Sequence, residues 1–254
     1  MLELRCTRLK KIDALSNVNL SYLLLDGCKK LTSLNPLKNV ASLKELDVRD
    51  CYGFKKIDLS DWKQRNLKKI TVSDCDGLVV LNGFSQCSKR CELLIDNCNA
   101  LKEIQIQDDS SLDSITVNRC PNLDSINGLP QALSELRIYF CGALTKVSGG
   151  KIPNLDSVEI GACSKLVSFD RYLENVKYFK LIQCHGIKQL SLRQPMPRLA
   201  SVSVEYCDGL IAIDGLPESV NKLKVTGCEA LKRVTPTAGL PNLSEANFID
   251  CPNL

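Results

Sequence analysis

The residues able to do chemistry are few in kind and regular in spacing: fourteen cysteines and a single histidine, His185, in 254 residues. Thiolates attack carbonyls and bind metals, and an imidazole in hydrogen-bond reach activates a thiol as a nucleophile. Cys184 and His185 are adjacent in QCHGIKQL. Adjacent residues at a strand end face different ways, so no activated pair is expected there. Cys87 and Cys91 stand in CSKRC beside Lys89 and Arg90, on a segment expected to be a convex loop. Nearby positive charge would lower a thiol's pKa; the readings are a partly buried corner, a redox-sensitive thiol or a local disulfide. Asp108 and Asp109 in QDDSS read as a solvated corner. With one histidine, general acid–base hydrolysis of the usual kind has little to work with. The expectation is a chain that is not an enzyme, with no catalytic residue, no cofactor and no metal.

The other twelve cysteines set the architecture. Cys6, Cys28, Cys51, Cys75, Cys98, Cys120, Cys141, Cys163, Cys184, Cys207, Cys228 and Cys251 recur at steps of 21 to 24 residues. A fixed period of that length marks a solenoid in which each unit is one supersecondary element stacked on the next. A structural zinc site needs paired thiols brought together, and single thiols spread along a line do not supply them. Neighbouring ladder cysteines would lie one strand spacing apart, within disulfide range, but their side chains point inward in parallel, which is packing.

Counting from each cysteine exposes the elements that position it. Three residues earlier stand Leu25, Val48, Val72, Ile95, Val117, Ile138, Ile160, Leu181, Val204, Val225 and Phe248; five earlier, another apolar column runs from Leu23 to Ala246. The two-residue offset and the β-branched content predict one short parallel strand per repeat. Three residues after the cysteine comes a column of Leu, Ile and Phe that turns inward and closes the coil. A finer alternation is superimposed. Asn82-Gly83, Asn127-Gly128 and Asp214-Gly215 predict left-handed corners. Ile57-Asp58-Leu59, Ile104-Gln105-Ile106 and Leu190-Ser191-Leu192 predict a second small sheet. The two sets imply duplication of a pair of repeats near 45 residues long.

The unit LxxLxVxxCxxLxxI, as in LKELDVRDCYGFKKI from Leu43 and LSELRIYFCGALTKV from Leu133, resembles the leucine-rich repeat, in which the cysteine position carries Asn or Cys. Its irregular lengths and the "CPNL" and "CxxLxxI" phrases resemble the leucine-rich regions of plant intracellular immune receptors; INGLPQALSELRI and IDGLPESVNKLKV also resemble repeats of bacterial effectors and surface proteins. The resemblance implies an α/β fold: a right-handed solenoid with a curved parallel sheet on its concave face and short 3₁₀ or irregular convex segments. It implies one domain over residues 1–254, of about twelve repeats of 21–24 residues. No polar cap flanks either end, so a longer parent chain with flanking domains, or end-to-end self-association, is expected.

Function then falls to the exposed face of the sheet. Its richest stretch joins Arg137, Tyr139, Glu159, Tyr178, Lys180, Ile182 and Glu205. Charges of both signs interleaved with aromatics suit a protein partner; a phosphate backbone would want a stripe of one sign. A net charge of +4 names no nucleic-acid partner, and no run of about 18 apolar residues is present for a membrane span. The charged start MLELRCTRLKKID is unlike a secretory signal, so a soluble, cytoplasmic protein is expected, and the sequons at Asn19 and Asn242 would stay bare. The reading is a non-enzymatic protein-recognition module, as in the ligand-sensing region of an intracellular immune receptor. The alternatives are the target-binding domain of a bacterial effector or surface protein, and a carbohydrate-binding or architectural solenoid.

Overall fold

Alternating apolar columns of Leu, Ile and Val can hide one face of a strand only if the next strand repeats the same register, and the computed structural model shows that register. It describes residues 1–16, 18–62, 65–84, 87–107, 109–169, 174–192 and 195–254; Asp108 lies outside them. Two compact units result, Met1–Leu133 with Lys146–Gly150, and Ser134–Thr145 with Lys151–Leu254.

In the first unit the main sheet is β1 (Leu2–Arg5), β2 (Tyr22–Asp26), β3 (Glu45–Arg49), β5 (Lys69–Ser73), β7 (Cys91–Asp96) and β9 (Leu112–Asn118), all parallel. Leu23, Leu46, Ile70, Leu93 and Ile115 pair in register, as do Leu25, Val48, Val72, Ile95 and Val117. Both columns are buried. A second sheet lies along the same coils: β4 (Lys56–Asp58), β6 (Val80–Gly83), β8 (Glu103–Ile106), β10 (Ser125–Leu129) and β12 (Lys146–Gly149).

The second unit repeats the plan. Its main sheet is β11 (Glu135–Tyr139), β13 (Ser157–Gly161), β14 (Tyr178–Ile182), β16 (Ser201–Glu205), β18 (Lys222–Thr226) and β20 (Glu245–Ile249), again parallel. Its side sheet is β15 (Gln189–Ser191), β17 (Ala212–Leu216) and β19 (Arg233–Pro236). Coils of parallel strands stacked in this way are a parallel β-solenoid.

The α/β label needs correction. Among the described residues there is no α-helix; the helical content is two 3₁₀ turns, Asp13–Leu15 and Asn35–Asn39. Convex segments of about ten residues are too short for a stable helix, and eight coils instead place a side-sheet strand of three to five residues there. The two kinds of corner also merge. Asn82-Gly83, Asn127-Gly128 and Asp214-Gly215 lie inside β6, β10 and β17, beside strands built from Ile57-Asp58, Ile104-Gln105-Ile106 and Leu190-Ser191. Their glycines keep the expected left-handed backbone, with Gly128 at φ 77° and Gly215 at φ 78°. There the chain bulges, the register slipping after Asn127 and after Asp214. At Gly83 a Cβ would lie 2.4 Å from the Leu59 carbonyl carbon, so the neighbouring coil leaves no room for one.

The cysteine ladder runs from Cys28 to Cys251. Each thiol donates to the carbonyl two residues before it, at 3.1 Å for Cys51, 3.2 Å for Cys75 and 3.4 Å for Cys184. Several also reach the preceding coil, as Cys51 to Leu25 O at 3.6 Å and Cys184 to Ile160 O at 3.6 Å. Cys6 is not a full member: Arg5 pairs with Asp26, so Cys6 comes one residue after the paired position and Cys28 two. It is exposed.

The residue just before each ladder cysteine is the feature the columns did not reveal. It holds a left-handed conformation at Gly27, Asp50, Asp74, Asn97, Arg119, Phe140, Ala162, Gln183, Tyr206, Gly227 and Asp250, with φ between 50° and 63°. That bend aims its N–H at the next strand, as in Asp50 N to Ser73 O at 3.2 Å and Ala162 N to Ile182 O at 2.8 Å. Gly, Asp and Asn tolerate the bend; for alanine it costs about 1 kcal/mol or more. Ala162→Gly is therefore expected to stabilise the fold by about 0.5–1 kcal/mol, read as a higher urea midpoint. Burial predicts a second outcome. In the native protein only Cys6 and Cys251 react promptly with an aromatic disulfide reagent at neutral pH, and the other twelve thiols react on unfolding.

Candidate recognition surface

Side chains that alternate away from the apolar columns must stand on the outer face of the main sheet. In the second unit that rule gathers all seven candidate residues on four consecutive strands. Arg137, Glu159 and Lys180 are register neighbours, continuing to Ser203 and Lys224. Tyr139, Gly161, Ile182 and Glu205 form the next row, and Tyr178 opens β14. Tyr178 is 45% exposed. The side chains of Arg137 and Lys180 are also open to solvent, whereas Tyr139 and Ile182 are half-buried.

The charges are neutralised within the face. Arg137 bonds Glu135 at 2.5 Å and lies 3.9 Å from Glu159. Tyr139 donates its phenolic proton to Glu159. Burial, reinforced by that carboxylate, pushes the Tyr139 phenol up, so it stays protonated at all ordinary pH. Its ring lies on Gly161, where a Cβ would come within 2.5 Å of Cδ1. Glu205 takes Lys224 at 3.1 Å, Lys180 at 3.5 Å and the Ser203 hydroxyl at 2.9 Å. Burial pulls its pKa up, but Ser203 and the two lysines outweigh that and hold it below the usual range. Lys177 Nζ sits 4.9 Å from the Tyr178 ring centroid.

Beside this row runs the left-handed column, which adds residues the sequence reading did not single out. Phe140 is 57% exposed and Tyr206 49%. The signal was present in the Gly, Asp and Asn that fill the same position in other coils.

The remaining candidates separate. Cys184 is buried and pushed up to about 12 by desolvation, its proton directed at carbonyls, while His185 turns to Asp208 at 3.5 Å. Cys87 and Cys91 are both buried; Cys87 lies outside the strands, as expected, whereas Cys91 opens β7, which corrects the loop placement for it. The Cys91 thiol is pushed up by the neighbouring Cys87 thiol and by burial, while Cys87 is pulled down by its hydrogen bond from Cys91 against the opposing pull of burial; Lys89 and Arg90 cause neither shift. Asp109 is exposed; Asp108 lies outside the described residues.

Asp214, read from sequence as a corner, is 1% exposed. It accepts from Arg233 Nε and Nη2 at 3.0 Å each, Gln189 Nε2 at 2.6 Å and Thr235 Oγ1 at 2.9 Å. Arg233 first, then Thr235 and Gln189, hold its carboxyl well below the usual range against the opposing pull of burial. The carboxylate ties together the three strands of the side sheet.

Residues 1–82 match the family model described as the LRR domain of the endo-beta-N-acetylglucosaminidase EndoS. Solved structures similar to the chain include the following three. A leucine-rich cell surface protein from Faecalibacterium prausnitzii A2-165 has 14% identity and a TM-score of 0.27, covering 87% of this chain and 80% of its own. An internalin, InlF, from Listeria monocytogenes has 13% identity and a TM-score of 0.22, covering 93% and 82%. A leucine-rich repeat protein from Bacteroides ovatus has 18% identity and a TM-score of 0.26, covering 90% and 66%. At these scores the three structures add nothing to the coil geometry above. No curated relative matches the chain. The parallel coils define the class as a parallel β-solenoid, and residues 1–82 of it are similar to an LRR domain.

Asp214→Asn is expected to cost about 2 kcal/mol, less than the 3–5 typical of a fully buried pair because Arg233 is half exposed. The group's pKa is depressed on folding, so its contribution is complete above the unfolded value near 4 and is lost as pH falls through the lower folded value. Unfolding midpoints of wild type and Asp214→Asn should therefore converge as pH drops below about 4.

Proposed function

We propose that the outer face of β11, β13, β14 and β16 docks a protein partner without covalent chemistry. One observation carries the reading: seven residues chosen for interface chemistry fall on adjacent, register-paired strands of one unit, with their charges already paired to one another. A prearranged network loses little side-chain entropy on docking, and Tyr and Arg anchors supply most of the binding energy at such faces. The ligand-sensing region of an intracellular immune receptor, located in the cytoplasm, is the setting this proposal takes. A reducing compartment would keep the buried thiols as thiols.

A second reading is favoured by the family match. EndoS is by its name a glycosidase with an LRR domain, so this chain would be the non-catalytic recognition part of a larger protein, directed at that protein's target. The parent reading frame separates the two, through a neighbouring nucleotide-binding segment or a neighbouring glycosidase segment. For either, Tyr178→Ala combined with Lys180→Gln should weaken capture of a given partner at least tenfold, while thermal unfolding falls only slightly, because Lys224 still pairs with Glu205. Undiminished capture by a folded double variant removes the face from consideration.

A further inference from the structure

The side sheet of the first unit stops at β4. In the two coils before it, the 3₁₀ turns Asp13–Leu15 and Asn35–Asn39 take the place of strand. Pro36, in the first turn of the second, has no N–H to offer a ladder. A hollow of about 620 Å³ opens there, a size typical of small-molecule sites. Lys10, Lys11 and Lys30 line it, with Asp13 as the one acid. Among the described residues none of the three lysines forms an ion pair, whereas the adjacent Lys29 pairs with Asp50 at 3.8 Å. Thr32 and Ser33 bring hydroxyls to the same wall. Ser33 Oγ accepts from Asn35 N at 3.1 Å, which leaves its own proton for another acceptor. Ile12 and Pro36 supply apolar surface.

We propose that this hollow binds a small organic oxyanion ester, a phosphorylated or sulfated molecule of about the size of one or two sugars. Three cations against one carboxylate leave two positive charges, the complement of a dianionic group. Lysines and hydroxyls are the donors such oxygens take. The volume and the apolar wall call for a carbon body beyond a bare ion, lying on Ile12, Pro36 and the lysine stems. The site lies wholly within the first unit and does not depend on the docking face proposed above.

The test is isothermal titration of the 254-residue chain at low salt with fructose 1,6-bisphosphate, a disulfated disaccharide, and glucose as the neutral probe. At least one anionic probe is expected to bind saturably with one site per chain, and the one preferred identifies phosphate or sulfate as the source. Lys10→Glu with Lys30→Glu should weaken that binding at least tenfold. Lys44→Glu with Lys68→Glu, an equal change of net charge on exposed lysines that do not line the hollow, should leave it within twofold. If the first pair does not melt cooperatively, Lys10→Gln with Lys30→Gln carries the same expectation. Neither anion binding better than glucose, or equal losses in the two charge-reversed pairs, would overturn the proposal.

Discussion

The interaction on which the solenoid depends is the bend at the end of each main-sheet strand, where the backbone must leave the ladder without stranding its polar groups. Two devices meet there. The residue before the cysteine turns left-handed and sends its N–H to the next coil, and the cysteine sends its proton back to carbonyls of its own and the preceding coil. The carbonyl two residues before the cysteine takes both donors, as Arg49 O does from Gly27 N at 3.0 Å and from Cys51 Sγ at 3.1 Å, so the thiol adds to a bond the backbone already makes. A thiol is a weak donor but a small one, so it fits beneath the apolar columns without displacing them.

The bend explains why coils of unequal length stack at all. Steps of 21 to 24 residues differ in the segments beyond the cysteine, where a bulge at Gly128 or Gly215, or a 3₁₀ turn at Asn35–Asn39, absorbs the difference. The side sheet is thus the adjustable layer, and Asp214 shows the tension in it. A charge buried among Leu, Ile and Val is tolerated only because Arg233, Gln189 and Thr235 converge on it from both neighbouring strands. The outer face of the main sheet is under no such constraint. There the register fixes the spacing of the side chains and leaves their identity free, which is what lets a repeat scaffold carry a recognition patch.

Much of this was legible beforehand for a physical reason. Alternation at two residues and recurrence at about 22 depend only on which faces must be dry, so the strands, their parallel pairing and the ladder positions from Cys28 onward could be read directly. The seven face residues followed from the same alternation. Less legible were features set by cross-coil geometry. Cys6 kept the period while slipping a residue out of pairing. Cys91, preceded by Lys89 and Arg90, went inside because it opens β7. The column of Phe140, Ala162, Gln183 and Tyr206 hid its left-handed bend behind residue types that ordinarily avoid it.

By itself, then, the sequence determined the coil: its period, its inward columns and the rows that must face out, because burial of apolar area is local in pattern and repeats with the chain. Only the tertiary structure decided where the side sheet begins and ends, which carboxylates are buried, and which charges pair across coils. Those outcomes hang on contacts between residues some twenty positions apart, such as Tyr139 with Glu159 or Asp214 with Arg233, and no spacing within one repeat encodes them.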